Sequence, residues 1–416
     1  MACNKLVAPV AWPDQSALVA FCQRLIQTPS TTGSEGPVAD LIRETMLELG
    51  FHRVWIDRFG SVVGEIRGAL PGPSILFDSH IDTVEVADGP DWSQPPFGGV
   101  VQDGRIYGRG ADDMKCALAA MVFGLAPLAV QPDRLRGSIF VSGTVCEETF
   151  EGQALGRVVE VVRPDYVVIG EASALDLKRG QRGRAEVEVT VTGKAAHSSN
   201  PSVGRNAVYL AMDLVQRMRR APLPTDPFLG CGLLELTDII STPYPGASVV
   251  PRQCRVTFDR RLLPGESEAD VLEPLRRCVR ECQADDPKFE AVVRITEASQ
   301  RCYTGDMVAG KRFFPAWVLA EDNPLVTAAL AGLRLAGLDP ALTKYDFCTN
   351  GSYSAGVAGI PTIGFGPGDE DGAHVVDENI ELEQVQRAAV GYQSIAWHLL
   401  EGEHHAVSDP RTYPPR

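Results

Sequence analysis

Residues 74–83, Ser74-Ile75-Leu76-Phe77-Asp78-Ser79-His80-Ile81-Asp82-Thr83, decide how this chain is read. An apolar run breaks off into carboxylates and a histidine. Such a run reads as a buried strand, and open α/β sheets place ligand-binding groups just beyond the carboxyl ends of their strands. The pattern recurs along the chain. Residues 138–145, 166–169 and 360–365 read as further buried strands, residues 39–49 carry apolar side chains at helical spacing up to Gly50, and residues 116–129 form an apolar, alanine-rich helix. This alternation predicts an α/β fold with a mostly parallel sheet flanked by helices.

A segment of different character interrupts it. Ala185-Glu186-Val187-Glu188-Val189-Thr190-Val191-Thr192 alternates with period two, as a half-buried antiparallel strand does. A helix over 205–219, strands over 232–236 and 254–261, a helix over 267–283 and a strand over 289–295 complete the order βαββαβ, that of a ferredoxin-like α+β unit. The expected organisation is a discontinuous α/β domain of residues 1–182 and 299–401, an insertion of residues 183–298, and a loose tail over 402–416. Hinges are expected near 180–183 and 298–302.

Composition agrees with an ordinary globular enzyme. The 416 residues exceed what one core usually organises, and 44% hydrophobic with 22% charged residues supports substantial cores. The N-terminus lacks a basic segment followed by a long apolar stretch, and no apolar run is long enough to span a bilayer, so a cytoplasmic protein without membrane association is expected. A formal charge of −15 argues against general attraction to nucleic acid or an anionic membrane. The ten cysteines form no Cys-x-x-Cys clusters, and most of them read as reduced core residues. Cys278 and Cys282 share a helix face, but no further pair completes a metal site, and His404 and His405 read as solvated tail residues.

Four strand ends carry the chemistry. His80 is followed by Asp82, a partner type that commonly holds the second nitrogen of a metal-bound imidazole. Asp112 and Asp113, in Gly108-Arg109-Gly110-Ala111-Asp112-Asp113-Met114-Lys115, stand at a helix entrance, where either could equally be an N-cap. Glu147 and Glu148 end one strand and Glu171 another, and Gly364-Phe365-Gly366-Pro367-Gly368 leads to His374, its glycines permitting close approach of backbone and substrate. Each motif alone is weak. Two histidines and several carboxylates at one sheet edge suit a pair of first-row divalent ions, with zinc favoured by the mixture and cobalt or manganese as other candidates.

Taken together, His80-Ile81-Asp82, Gly108 to Lys115, Glu147-Glu148, Glu171, Gly193-Lys194-Ala195-Ala196-His197-Ser198 and Ala373-His374 closely resemble the acetylornithine deacetylase, succinyl-diaminopimelate desuccinylase and carboxypeptidase G family, over nearly the whole chain. Asp226-Pro227-Phe228-Leu229-Gly230, Asp259-Arg260-Arg261-Leu262 and Thr349-Asn350-Gly351 are similar to a subgroup described as selenium-metabolism-linked hydrolases. The resemblance implies that Asp113, which directly precedes the Met-Lys pair, bridges two ions. It implies that His80 and Glu171 complete one ion's protein ligands, that Glu148 and His374 complete the other's, and that Asp82 orients His80. Glu147 would be the general base. His197 would contact the oxyanion from a lid and dimerisation domain, in cis or across a homodimer, and Arg261 would grip a substrate carboxylate, with Asn350, Gly366 and Gly368 as further substrate contacts.

The implied function is hydrolysis of the amide of a small N-acyl or N-carbamoyl amino acid by metal-activated water. A dipeptidase or carboxypeptidase is the alternative within the fold, and a non-catalytic small-molecule-binding homologue the alternative outside it. Cys116 stands where relatives usually have glycine, and Ser248 where many have asparagine, which leaves the substrate open.

Overall fold

The computed structural model describes residues 14–86 and 91–400. The expected tail, His404, His405, Cys3 and the first residues of the N-terminus lie outside the described residues.

The larger body is built on a nine-stranded mixed sheet. Its strands run in the order Arg53–Ile56, Val62–Arg67, Arg136–Thr144, Leu70–His80, Tyr166–Ile169, Thr362–Gly364, Leu177–Gln181 and Trp317–Val318, with Leu342–Tyr345 also paired to Leu177–Gln181. The four central strands, Arg136–Thr144 through Thr362–Gly364, are mutually parallel. Antiparallel ladders lie on both sides of them, and one further parallel pair, Leu342–Tyr345 with Leu177–Gln181, lies away from the centre.

Central strands are buried on both faces, which is why they read as continuous apolar runs. Ile75, Phe77 and Val168 enter the main core, whereas Leu76, Val167 and Ile169 enter a second cluster under the helix Gln153–Val162. On the main-core face lies the helix Cys116–Leu125, buried at every residue. The helix Leu382–Leu400 crosses it so closely that a Cβ on Gly124 would meet the Ala389 carbonyl.

The insertion has its own core. Strands Leu233–Thr242, Gln253–Leu262, Gly183–Thr192 and Glu290–Ile295 lie in that order, all antiparallel, with helices Ala207–Met218 and Glu268–Asp285. Ala185, Val187, Val189 and Val191 point inward together with Cys278 and Cys282, which are therefore core residues of this unit. The strand expected over 232–236 continues to Thr242 through an irregularity between Leu236 and Asp238. Pairing continues beyond that shift although burial no longer alternates there, and a strict period-two reading stops at that point.

This unit starts its first strand at Gly183. Its exit is more involved than a single hinge at 298–302. The hairpin Glu297–Arg301 and Met307–Lys311 packs Cys302 and Val308 into the main core. The chain then returns to the insertion, where Phe313–Phe314 pairs with Ala185 and Arg184, before Trp317–Val318 rejoins the large sheet. A Cβ on Gly183 would meet the Phe314 carbonyl and Ala316 nitrogen, so the two crossings touch.

Candidate functional site

The parallel strands deliver their ends to one crevice. His80 closes Leu70–His80, Glu147 and Glu148 follow Arg136–Thr144, Glu171 follows Tyr166–Ile169, and His374 comes in a loop after Thr362–Gly364. Asp113 joins them from a short non-helical stretch before Cys116–Leu125, and its peptide bond to Met114 is cis.

Asp113 is shared between two imidazoles. Its Oδ1 lies 2.8 Å from His80 Nε2, and its Oδ2 lies 3.1 Å from His374 Nε2. His374 Nε2 also lies 3.0 Å from Glu148 Oε2, while Glu171 Oε1 approaches His80 Nε2 at 3.8 Å. Two overlapping groups have ligand atoms close enough to hold an ion: His80 with Glu147 and Glu171, and His80 with Asp113 and Glu148. Burial leaves Glu148 Oε1 without a hydrogen-bond partner. The oxygen-rich donor set and this orphaned buried oxygen fit a divalent cation.

The charges say the same. Burial, and then neighbouring carboxylates, lift Glu171 to about 8 and push Glu147 well above the ordinary range. Burial opposes charging of His80, yet Asp113, Glu171 and Glu147 together hold its pKa well above normal. Hydrogen bonds to Asp113 and Glu148 raise His374 to about 10. Asp113 is lowered despite burial, because both imidazoles favour its charged form. So many buried carboxylates around two imidazoles form a site whose charge a cation would balance.

Asp82 does more than expected from its place beside His80. His80 Nδ1 meets the Asp82 carbonyl at 2.9 Å, whereas the carboxylate is 3.7 Å away. That carboxylate accepts the backbone N–H of Glu147 at 3.0 Å and of Glu148 at 3.2 Å, and the Thr32 hydroxyl at 2.8 Å. It thus positions the strand end that carries both glutamates.

The other residues singled out from the sequence fall in different places. Asn350 is buried beneath the crevice. Its amide donates to Asp78 at 2.8 Å and Thr144 at 2.9 Å, and its carbonyl accepts Gly152 N–H at 2.6 Å. Gly366 packs against the carbonyls of Gly170 and Glu171, and Gly368, at φ +89°, packs against the Asp112 carboxylate. Arg261, on the inserted unit, pairs with Asp259 at 2.7 Å. Asp259 also holds Arg184, which reaches Glu151 at 2.8 Å. The buried Cys348 thiol, pushed up by burial and then by Glu151 and Glu147, is held back by Arg261 and Arg184, so these arginines and the glutamate segment share one neighbourhood. His197 is exposed on the short strand Ala196–His197, and its Nδ1 accepts the Ser199 N–H at 3.1 Å. It is not among the clustered side chains. Cys116 is buried at a helix start, and Ser248 stands at φ +57°.

Sequence reasoning missed Glu378 and Glu35. Glu378 is buried and accepts the backbone N–H groups of both Asp112 and Asp113. Glu35 is buried under Cys146. Neither carries a local signal, because a glutamate in a charged stretch resembles a solvated one until its distant partners are known.

The sequence pattern of peptidase family M20/M25/M40 matches residues 76–398. The chain belongs to this family. Membership makes this M20 chain a hydrolase acting on amide bonds. It is 32% identical over 400 residues to the uncharacterized protein YgeY of Escherichia coli K12, covering 94% of this chain and 96% of YgeY. It is 30% identical to succinyl-diaminopimelate desuccinylase 2 of Ruegeria sp. over 310 residues, 70% of this chain and 75% of that enzyme. Its fold matches that of Bacillus subtilis YXEP, described as a dinuclear metal binding peptidase of the M20 family, with TM-score 0.70 at 15% identity, over 93% of this chain and 98% of that one. No described helix of this M20 protein is long and apolar enough to cross a membrane.

Proposed function

We propose that this M20 protein holds two divalent ions, zinc favoured, and hydrolyses the amide of a small N-acyl or N-carbamoyl amino acid. The observation that carries the reading is the Asp113 carboxylate, whose two oxygens face different imidazoles at 2.8 and 3.1 Å. His80 and Glu171 would hold one ion and Glu148 and His374 the other. Such ions supply Lewis-acid polarisation of the scissile carbonyl and acidify water beside it.

Glu147 is the base that takes the proton of the attacking water and passes it to the leaving amine. His197 would donate to the developing oxyanion once the inserted unit closes as a lid, and Arg261 would exchange its Asp259 partner for a substrate carboxylate. Gly366 and Gly368 shape the floor that receives the substrate, with Asn350 supporting it from below. The desuccinylase named among the relatives favours the acyl amino acid class.

Protein loaded with zinc, cobalt or manganese and assayed against N-acyl amino acids, N-carbamoyl amino acids and dipeptides tests this. Turnover of the first two classes with two bound ions is expected. Exclusive dipeptide turnover would overturn the deacylase reading in favour of a dipeptidase, and metal-independent turnover would overturn the site.

A further inference from the structure

We infer that Glu378, held by Arg109, is the positioning residue that sets the bridging carboxylate of Asp113 and keeps it in register with His374. The inference rests on the two-ion reading above. Asp113 lies where the backbone is not helical, at φ −120° and ψ 93°, followed by Met114 at φ −139° and ψ 30°. Its N–H therefore needs a partner outside a helical ladder. Glu378 Oε1 supplies it, accepting Asp112 N–H at 2.9 Å and Asp113 N–H at 3.1 Å. Glu378 Oε2 accepts from Arg109 Nη1 at 2.6 Å, and the Arg109 guanidinium lies over the Trp92 ring at 5.3 Å. The Glu378 backbone carbonyl accepts Gly108 N–H at 2.9 Å. Side chain and main chain of one buried residue thus grip both ends of the segment that presents Asp113.

The same segment delivers a ligand. His374 stands four residues before Glu378, so clamp and imidazole arrive on one stretch of chain. Asp112 ties the rest of that loop. Its Oδ1 accepts Asp369 N–H at 3.2 Å, and a Cβ on Gly372 would lie 2.7 Å from its Oδ2. His80 and Glu171 sit on buried strand ends and owe nothing to this frame, whereas His374 sits on an exposed loop. Asp113 serves both ions, but the frame sets two ligands, Asp113 and His374, on one side and only Asp113 on the other, so the clamp bears most on the ion held from the His374 side.

Glu378→Gln keeps size and one acceptor oxygen but removes the ion pair. Calorimetric titration of metal-free protein with cobalt(II) alone reads the effect, with circular dichroism and thermal melts of the metal-free variant as the folding control. The wild-type protein is expected to take up two ions. In Glu378→Gln the first is expected to bind within about threefold of wild type and the second about tenfold or more weakly. Arg109→Lys, which keeps charge but loses the guanidinium that reaches Glu378 from over the Trp92 ring, is expected to shift the second ion in the same direction. Equal weakening of both ions in the two variants would mean general loosening and overturn the inference. Two unchanged binding steps in both variants would overturn it while leaving the two-ion reading intact. A wild-type protein that binds fewer than two ions would overturn that reading and the inference with it.

Discussion

At the scale of single residues, burial assigns different tasks to carboxylates that look alike in the sequence. Glu147 and Glu148 are neighbours, yet only Glu148 meets His374, at 3.0 Å. Glu147→Gln should keep both ions, because the amide preserves shape, and should lose about 10²–10⁴-fold in kcat, the range for a general base. Metal analysis beside steady-state kinetics checks this, and unchanged turnover would remove Glu147 from the reaction. Glu35 illustrates a buried carboxylate under electrostatic load. Its Oε1 accepts Gly33 and Cys146 N–H groups at 2.9 and 3.3 Å, while Oε2 has no partner. Burial, and then Asp82, raise its pKa from 4.5 to about 7. A folded pKa above the unfolded one means that the folded state binds the proton more tightly. The associated stability is present below the unfolded pKa and is lost as pH rises through about 7. Glu35→Gln retains the accepting oxygen and escapes that loss. It should match wild type near pH 4.5 and exceed it by on the order of 3 kcal/mol near pH 8. Denaturant melts at both pH values measure the gap, and a gap independent of pH would count against this account.

At the scale of elements, the crevice depends on backbone approaching backbone. Gly366 follows the strand Thr362–Gly364 and lies against the carbonyls of Gly170 and Glu171. A methyl group there meets main-chain atoms fixed by the sheet. Gly366→Ala should therefore cost about 2 kcal/mol or more and reduce metal uptake by displacing Glu171. A thermal melt and a metal titration read the two effects, and an alanine variant with wild-type values for both would show that the strand end can yield. Helices follow the same logic of fit. Cys116–Leu125 has no polar face because it is enclosed, which is why its sequence lacks the amphipathic stripe of a surface helix.

At the scale of the whole molecule, the inserted unit raises the question of what covers it. Leu233–Thr242 is its outer strand, paired among the described residues only with Gln253–Leu262. Leu233 and Ile239 are exposed on it, as are Tyr209 and Met212 on the helix Ala207–Met218. An unpaired strand edge with exposed apolar side chains favours pairing with a second copy. A homodimer through this unit is the expected assembly, and Ile239→Lys with Met212→Lys should shift it toward monomer in sedimentation velocity. Loss of turnover on dissociation, with metal content retained, is the outcome expected if His197 acts across the dimer, and retained turnover in the monomer would place its action in cis. A monomeric wild-type protein would refute the assembly.

The sequence by itself determined the α/β class, and it marked the segment of different character and the side chains of His80, Asp113, Glu148 and His374 that the fold brings together. These are local properties: an apolar run ending in a polar ligand, or a period of two, is visible within ten residues. Tertiary structure decided which atoms serve which task. The Asp82 carboxylate turned from His80 to the backbone of Glu147, 65 residues away. Asn350 went beneath the floor to bind Asp78, 272 residues away. Glu378 emerged from a charged stretch to hold Asp113 across 265 residues. Hydrogen bonds of this kind depend on where the folded chain brings distant groups and on how completely it removes them from water, and neither quantity has a local signature.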